Sequence, residues 1–213
     1  MLPRCSYFML FVARLFLIHT VVRAFPVFAV LLFASAVNAD HRSELSALVS
    51  ERLLHMKDVA AYTWLAGEAI EDPEREAVVL AAVEQLGLQN GLRSESSQAF
   101  FRSQIAAAKE IQRYWFEQWD DHPDLAPSVS RDLKTEIRPA LISLGDKIAA
   151  RLGKGYREIG RLEVPGLSPG ALQRMAETAA AIKLYPNRLE QVLESGILRV
   201  GTTGDYPPFS YVV

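Results

Sequence analysis

The stretch Ser43-Glu44-Leu45-Ser46-Ala47-Leu48-Val49-Ser50-Glu51-Arg52-Leu53-Leu54-His55-Met56-Lys57-Asp58-Val59-Ala60-Ala61-Tyr62-Thr63-Trp64 sets the architecture of the chain. Within it Leu45, Leu48, Val49, Leu53, Met56, Val59, Ala60 and Trp64 recur at steps of three and four residues, the period of an amphipathic helix. The spacing predicts one long helix from Ser43 to Ile70. Moving outward, Asp72-Pro73-Glu74 reads as an N-cap, a proline in the first turn and an early acid, opening a second helix that ends near Leu88 before the Gly91 turn. A third helix, capped by Ser94 or Ser96, carries Phe100, Phe101, Ile105, Ala108, Ile111, Trp115 and Phe116 and runs to about Trp119. A fourth spans about Ser130 to Leu152, where Pro139 demands either a kink or a start near Arg138. A fifth follows Ser168-Pro169, from Ala171 to about Leu184. Strand-like alternation is absent from Asp40 to Leu184, so the expected fold class is all-α, a helical bundle around one core.

Upstream, Arg4, Arg14 and Arg23 precede an apolar run from Ala24 to Ser35, and Val37-Asn38-Ala39 places small residues at the cleavage-determining positions. Residues 1–39 therefore read as a signal peptide cut before Asp40, which implies a periplasmic or secreted protein. A membrane anchor over Phe8 to Phe33 is the competing reading, and Arg14 and Arg23 interrupt it. Removing three arginines and no acid takes the formal charge from −2 to −5, which gives no reason to expect nucleic acid as a partner. Cys5 leaves with the leader, so packing and not disulfides must hold the domain. Residues 40–184 are the expected helical domain. Residues 185–213 differ from it: Arg188 to Ser195 is helical, Ile197-Leu198-Arg199-Val200 is a strand-like remnant, and Gly201 to Pro208 is loop.

Several polar residues sit on faces that should be buried. Arg52 and Thr63, eleven residues apart, share one helix face about 16 Å along the axis. Asp72, Arg75 and Glu76 crowd the start of the second helix. Gln104, Ala108 and Gln112 stack at four-residue steps on the third, and Arg138 lies beside the buried positions of the fourth. Arginines directed into one bundle call for an anionic ligand, and a guanidinium grips a carboxylate with two parallel hydrogen bonds. His41, His55 and His122 have no metal-ligand spacing, and Trp64, Tyr114, Trp115 and Trp119 read as packing.

Taken in order, Glu51-Arg52-Leu53, Asp58 to Trp64, Ile70 to Glu76, Phe101 to Ile105, Lys109 to Gln112 and Ile137 to Leu141 resemble the exported gamma subclass of the all-helical chorismate mutases, over roughly Glu44 to Leu152. The resemblance implies an isomerase that converts chorismate to prephenate in aromatic amino-acid biosynthesis. It also implies a homodimer, and a reaction without metal, cofactor or covalent intermediate. It further implies that Arg52, Arg75 and Arg138 hold the two carboxylates, that Asp72 and Glu76 lie near the hydroxyl, and that Gln112 donates to the ether oxygen. The chain departs from the family at Thr63, where a lysine is usual, and at Ala108, where a hydroxyl residue is common. Lys57 is turned about 140° from the Arg52 face, which leaves Lys109 as the nearest alternative cation. Residues from about Leu189 to Tyr211 are similar to the opening of periplasmic solute-binding domains, in particular cyclohexadienyl dehydratases. Two other readings compete with a working mutase. One is a catalytically inactive mutase-like binding domain. The other is a helical interaction domain attached to a truncated solute-binding module, in which Arg52, Arg75, Gln112 and Arg138 would not converge.

Overall fold

A computed structural model describes residues 44–198. The expected signal peptide, its expected cleavage site before Asp40 and the segment from Arg199 to Val213 lie outside the described residues. Among those described there is no strand, only a single antiparallel bridge between Leu92 and Leu184, and no helix is long and apolar enough to cross a membrane.

The predicted first helix is present as two successive pieces, α1 over residues 44–54 and α2 over Met56–Ala66. His55 separates them with helical torsions but a stretched bond of 3.4 Å from its amide to the Glu51 carbonyl. The helix stops short of Ile70 because Gly67 adopts the left-handed conformation (φ 65°). The amides of Gly67 and Glu68 then bond back to the Trp64 and Thr63 carbonyls, a closing motif that glycine enters without a Cβ penalty. Helix α3 (Pro73–Gln89) begins as the sequence indicates, with the Asp72 carboxylate accepting from the Arg75 amide at 2.9 Å. Helix α4 (Ser94–Asp121) is the longest and packs against α2, α3 and the later α6.

Of the two expectations for Pro139, the start near Arg138 is the one met. A wide π-type turn occupies Leu133–Ile137, capped by Asp132 through the Thr135 amide and hydroxyl, and α5 (Arg138–Gly153) starts immediately after it. Proline then sits in the first turn of α5, where a missing N–H removes no regular helical bond. Helix α6 (Pro169–Ala180) is capped by the Ser168 hydroxyl, 3.1 Å from the Ala171 amide. It is tied to α4 by Glu110, whose carboxylate accepts from the Ser168 amide at 2.7 Å.

One core runs through the bundle. It joins Leu45, Val49 and Leu53 of α1, Phe100, Phe101 and Ile111 of α4, Ile148 and Leu152 of α5, and Ala171 and Met175 of α6. A smaller cluster gathers Ala60, Ala61 and Trp119, with Trp64 edge-on to Phe116 at 5.1 Å. These indoles are packing, as their spacing indicates. The segment after Leu184 is better anchored than its composition suggests. Helix α7 (Arg188–Ser195) buries Gln191, which donates to the Leu88 carbonyl, and Arg93 pairs with Glu190 and Glu194 while its guanidinium lies over the Tyr185 ring.

Candidate active site

The polar residues come together on the wall of a single cavity of about 460 Å³ between α1, α2, α3, α4 and α5. Arg52 arrives from α1, Thr63 from α2, Asp72 from the cap of α3, Arg75 and Glu76 from its first turn, Gln112 from α4 and Arg138 from the first position of α5. Seven of the eight expected site residues thus line it. The eighth, Ala108, faces the main core and takes part only through its carbonyl, which accepts from the Gln112 amide at 3.2 Å. Val59, Val79, Val83, Phe101, Ile105 and Leu141 supply apolar wall between the charges. The convergence of Arg52, Arg75, Gln112 and Arg138 is the opposite of what a plain interaction domain requires.

The three arginines have no ion-pair partner among the described residues. Arg52 is the most enclosed: its Nε is buried with no hydrogen-bond partner, and burial pushes its pKa down to about 10. A guanidinium in that state is stabilised by any anion that enters, because the anion offsets the lost hydration. Lys109 differs, since its Nζ lies 3.0 Å from Oε1 of Glu76. The donors of the remaining groups are engaged internally. The Thr63 hydroxyl gives its single hydrogen to the Val59 carbonyl at 2.9 Å, and Asp72 is occupied by its cap. The Gln112 nitrogen points at the Ala108 carbonyl and, at 4.0 Å, at the sulfur of Met56.

The face of α4 turned to the cavity is Phe101, Ile105, Lys109 and Gln112, and not the stack of Gln104, Ala108 and Gln112. Gln104 is instead 1% exposed inside the bundle, with neither end of its amide bonded. The signal was available in the sequence. Phe101 and Gln112 are eleven residues apart, the same three-turn spacing that links Arg52 to Thr63, and Lys109 falls between them at a four-residue step. Two further acids, Glu68 and Asp146, stand at exposed positions on the cavity wall with no motif to mark them.

The family described as chorismate mutase type II matches residues 42–113, which contain α1, α2, α3 and most of α4. A chorismate mutase of known structure from Burkholderia thailandensis is 31% identical, with a TM-score of 0.52 over 65% of this chain and 82% of that one. The chain belongs to this family. Its chorismate mutase domain also superposes on a secreted chorismate mutase from Yersinia pestis, with a TM-score of 0.61 at 25% identity over 67% of this chain and 98% of that one. A secreted chorismate mutase of Mycolicibacterium smegmatis is 37% identical over 121 residues, 55% of this chain, and the chain spans 66% of that relative's length. A stretch of 33 residues, 16% of the chain, is 58% identical to a cyclohexadienyl dehydratase of Pseudomonas aeruginosa and spans 12% of that enzyme.

Proposed function

We propose that this protein rearranges chorismate to prephenate as an exported, gamma-subclass chorismate mutase, acting in aromatic amino-acid biosynthesis as a periplasmic or secreted homodimer. The observation that carries the reading is that Arg52, Arg75 and Arg138, none with an ion-pair partner among the described residues, line one cavity together with Gln112. Chorismate is a dianion with an ether link, and Arg52, Arg75 and Arg138 can grip its two carboxylates in bidentate fashion. Asp72 and Glu76 then meet its hydroxyl, and Gln112 turns an N–H to the ether oxygen once it gives up the weak thioether contact with Met56. The reaction breaks one C–O bond and forms one C–C bond within the same molecule, so the protein contributes by holding the compact conformer and stabilising charge as it develops.

Thr63 weakens this site, because its hydroxyl hydrogen is held by the Val59 carbonyl and nothing charged stands at that position. The same bond favours a second reading, a domain that binds the dianion with little turnover. A chorismate-disappearance assay on the purified protein, with Arg52→Ala and Arg138→Ala beside it, separates the two. The mutase reading expects measurable turnover that either substitution lowers at least about 100-fold, since each leaves a carboxylate without its partner. Binding without turnover selects the second reading, and turnover indifferent to both arginines removes the site assignment. The dehydratase-like stretch fits an arrangement in which a following domain consumes prephenate.

A further inference from the structure

In this rearrangement, negative charge builds on the ether oxygen as the C–O bond lengthens, and a cationic donor placed there beforehand stabilises the transition state more than the substrate. Neither Thr63 nor Gln112 offers a free donor in the resting site: the hydroxyl hydrogen goes to Val59, and the amide hydrogens face Ala108 and Met56. The arginines belong to the carboxylates. The cation left on the cavity wall is Lys109, on α4 three residues before Gln112, hence on the same face and less than one turn away. Its side chain is 25% exposed and its Nζ is held 3.0 Å from the Glu76 carboxylate of α3. One of the three ammonium hydrogens is taken by Glu76, which leaves two for a ligand.

We propose that Lys109, aimed by Glu76, is the catalytic cation that donates to the ether oxygen in the transition state. This rests on the mutase reading of the same cavity. Glu76 fixes the ammonium between α3 and α4 before substrate arrives, so little reorganisation accompanies bond breaking. As charge grows on the ether oxygen, that oxygen competes with the carboxylate for the ammonium, which makes the interaction stronger in the transition state than in the ground state.

The test compares kcat and KM for chorismate in the wild-type chain, Lys109→Gln, Lys109→Arg, and Lys109→Gln combined with Thr63→Lys, with thermal unfolding of each. Lys109→Gln is expected to lower kcat about 100-fold with KM changed less than about fivefold. Lys109→Arg should recover much of the loss, and a lysine introduced at position 63, on α2, should recover part of it. That second rescue cannot come from restoring a structural tie between α3 and α4. If Lys109→Gln does not fold, Lys109→Met keeps the apolar stem and carries the same expectation. A folded Lys109→Gln or Lys109→Met with wild-type kcat overturns the inference and leaves the mutase reading standing. A wild-type chain that does not convert chorismate overturns both.

Discussion

Arg52→Met separates what Arg52 does for binding from what it does to stability. The fall of its pKa to about 10 corresponds to ~3 kcal/mol of lost hydration carried by the ligand-free protein. A methionine of similar length keeps the apolar stem contacts and removes the uncompensated charge. The substitution should therefore stabilise the empty protein by about 1–3 kcal/mol, or roughly 2–10 °C in Tm for a domain of this size. The sign with pH follows from the same shift. Above about pH 10 the unfolded chain still holds a proton on Arg52 that the folded chain has released, so this group's contribution to stability rises with pH there, and Arg52→Met lacks the rise. In the free enzyme, kcat/KM for chorismate should fall as pH passes about 10, where Arg52 loses its charge. Thermal unfolding by helical circular dichroism, paired with the chorismate assay, reads both effects. A loss of more than about 1 kcal/mol on Arg52→Met would show that the buried guanidinium already has a partner, and the account of Arg52 as a vacant anion grip would fail.

Thr63→Lys alone should raise kcat/KM about 10-fold or more, because it adds a charged donor to the cavity wall, and its kinetics against wild type check this. Gly166→Ala should destabilise by about 2–4 kcal/mol in denaturant titration: Gly166 has φ 80°, and a Cβ there would lie 2.6 Å from the Tyr114 side chain. Ending the chain at Leu184 should lower Tm by several degrees, since the buried Gln191 bond and the Arg93 ion pairs are lost, an effect of about 1–3 kcal/mol. An unchanged Tm would mean α7 rests on the bundle without holding it.

The helices were legible because three- and four-residue spacing and the caps at Asp72 and Ser168 are local signals, and each is met in place. The stop at Gly67 was also local and was passed over, since the apolar pattern continues to Ile70 although the backbone turns left-handed. The site was legible in its arginines, whose burial on several helices makes sense only together. It was less so on α4, where Ala108 and Lys109 are neighbours and a rotation of one residue decides which of them faces the cavity. Composition cannot fix that rotation; the packing of Ala107 and Ile111 into the core does. The engagement of Thr63 with the Val59 carbonyl follows a known habit of threonine in helices, but only the folded wall reveals that nothing else competes for the hydroxyl. The anchoring of α7 was not legible, because the partner of Gln191 is a carbonyl at the far end of α3, which no nearby sequence announces.

The wide turn at Leu133–Ile137 separates two tasks that a regular helix would couple. Leu144, Ile148 and Leu152 seat α5 against the bundle, and Arg138, its first residue, is carried to the cavity in the same register, while the turn ahead of it takes up the entry of the preceding loop. In a regular helix, lengthening by one residue swings every later side chain by about 100°. Here a one-residue change ahead of α5 can be absorbed within the turn, so the loop before it can vary in length while Arg138 and the core of α5 keep their shared register.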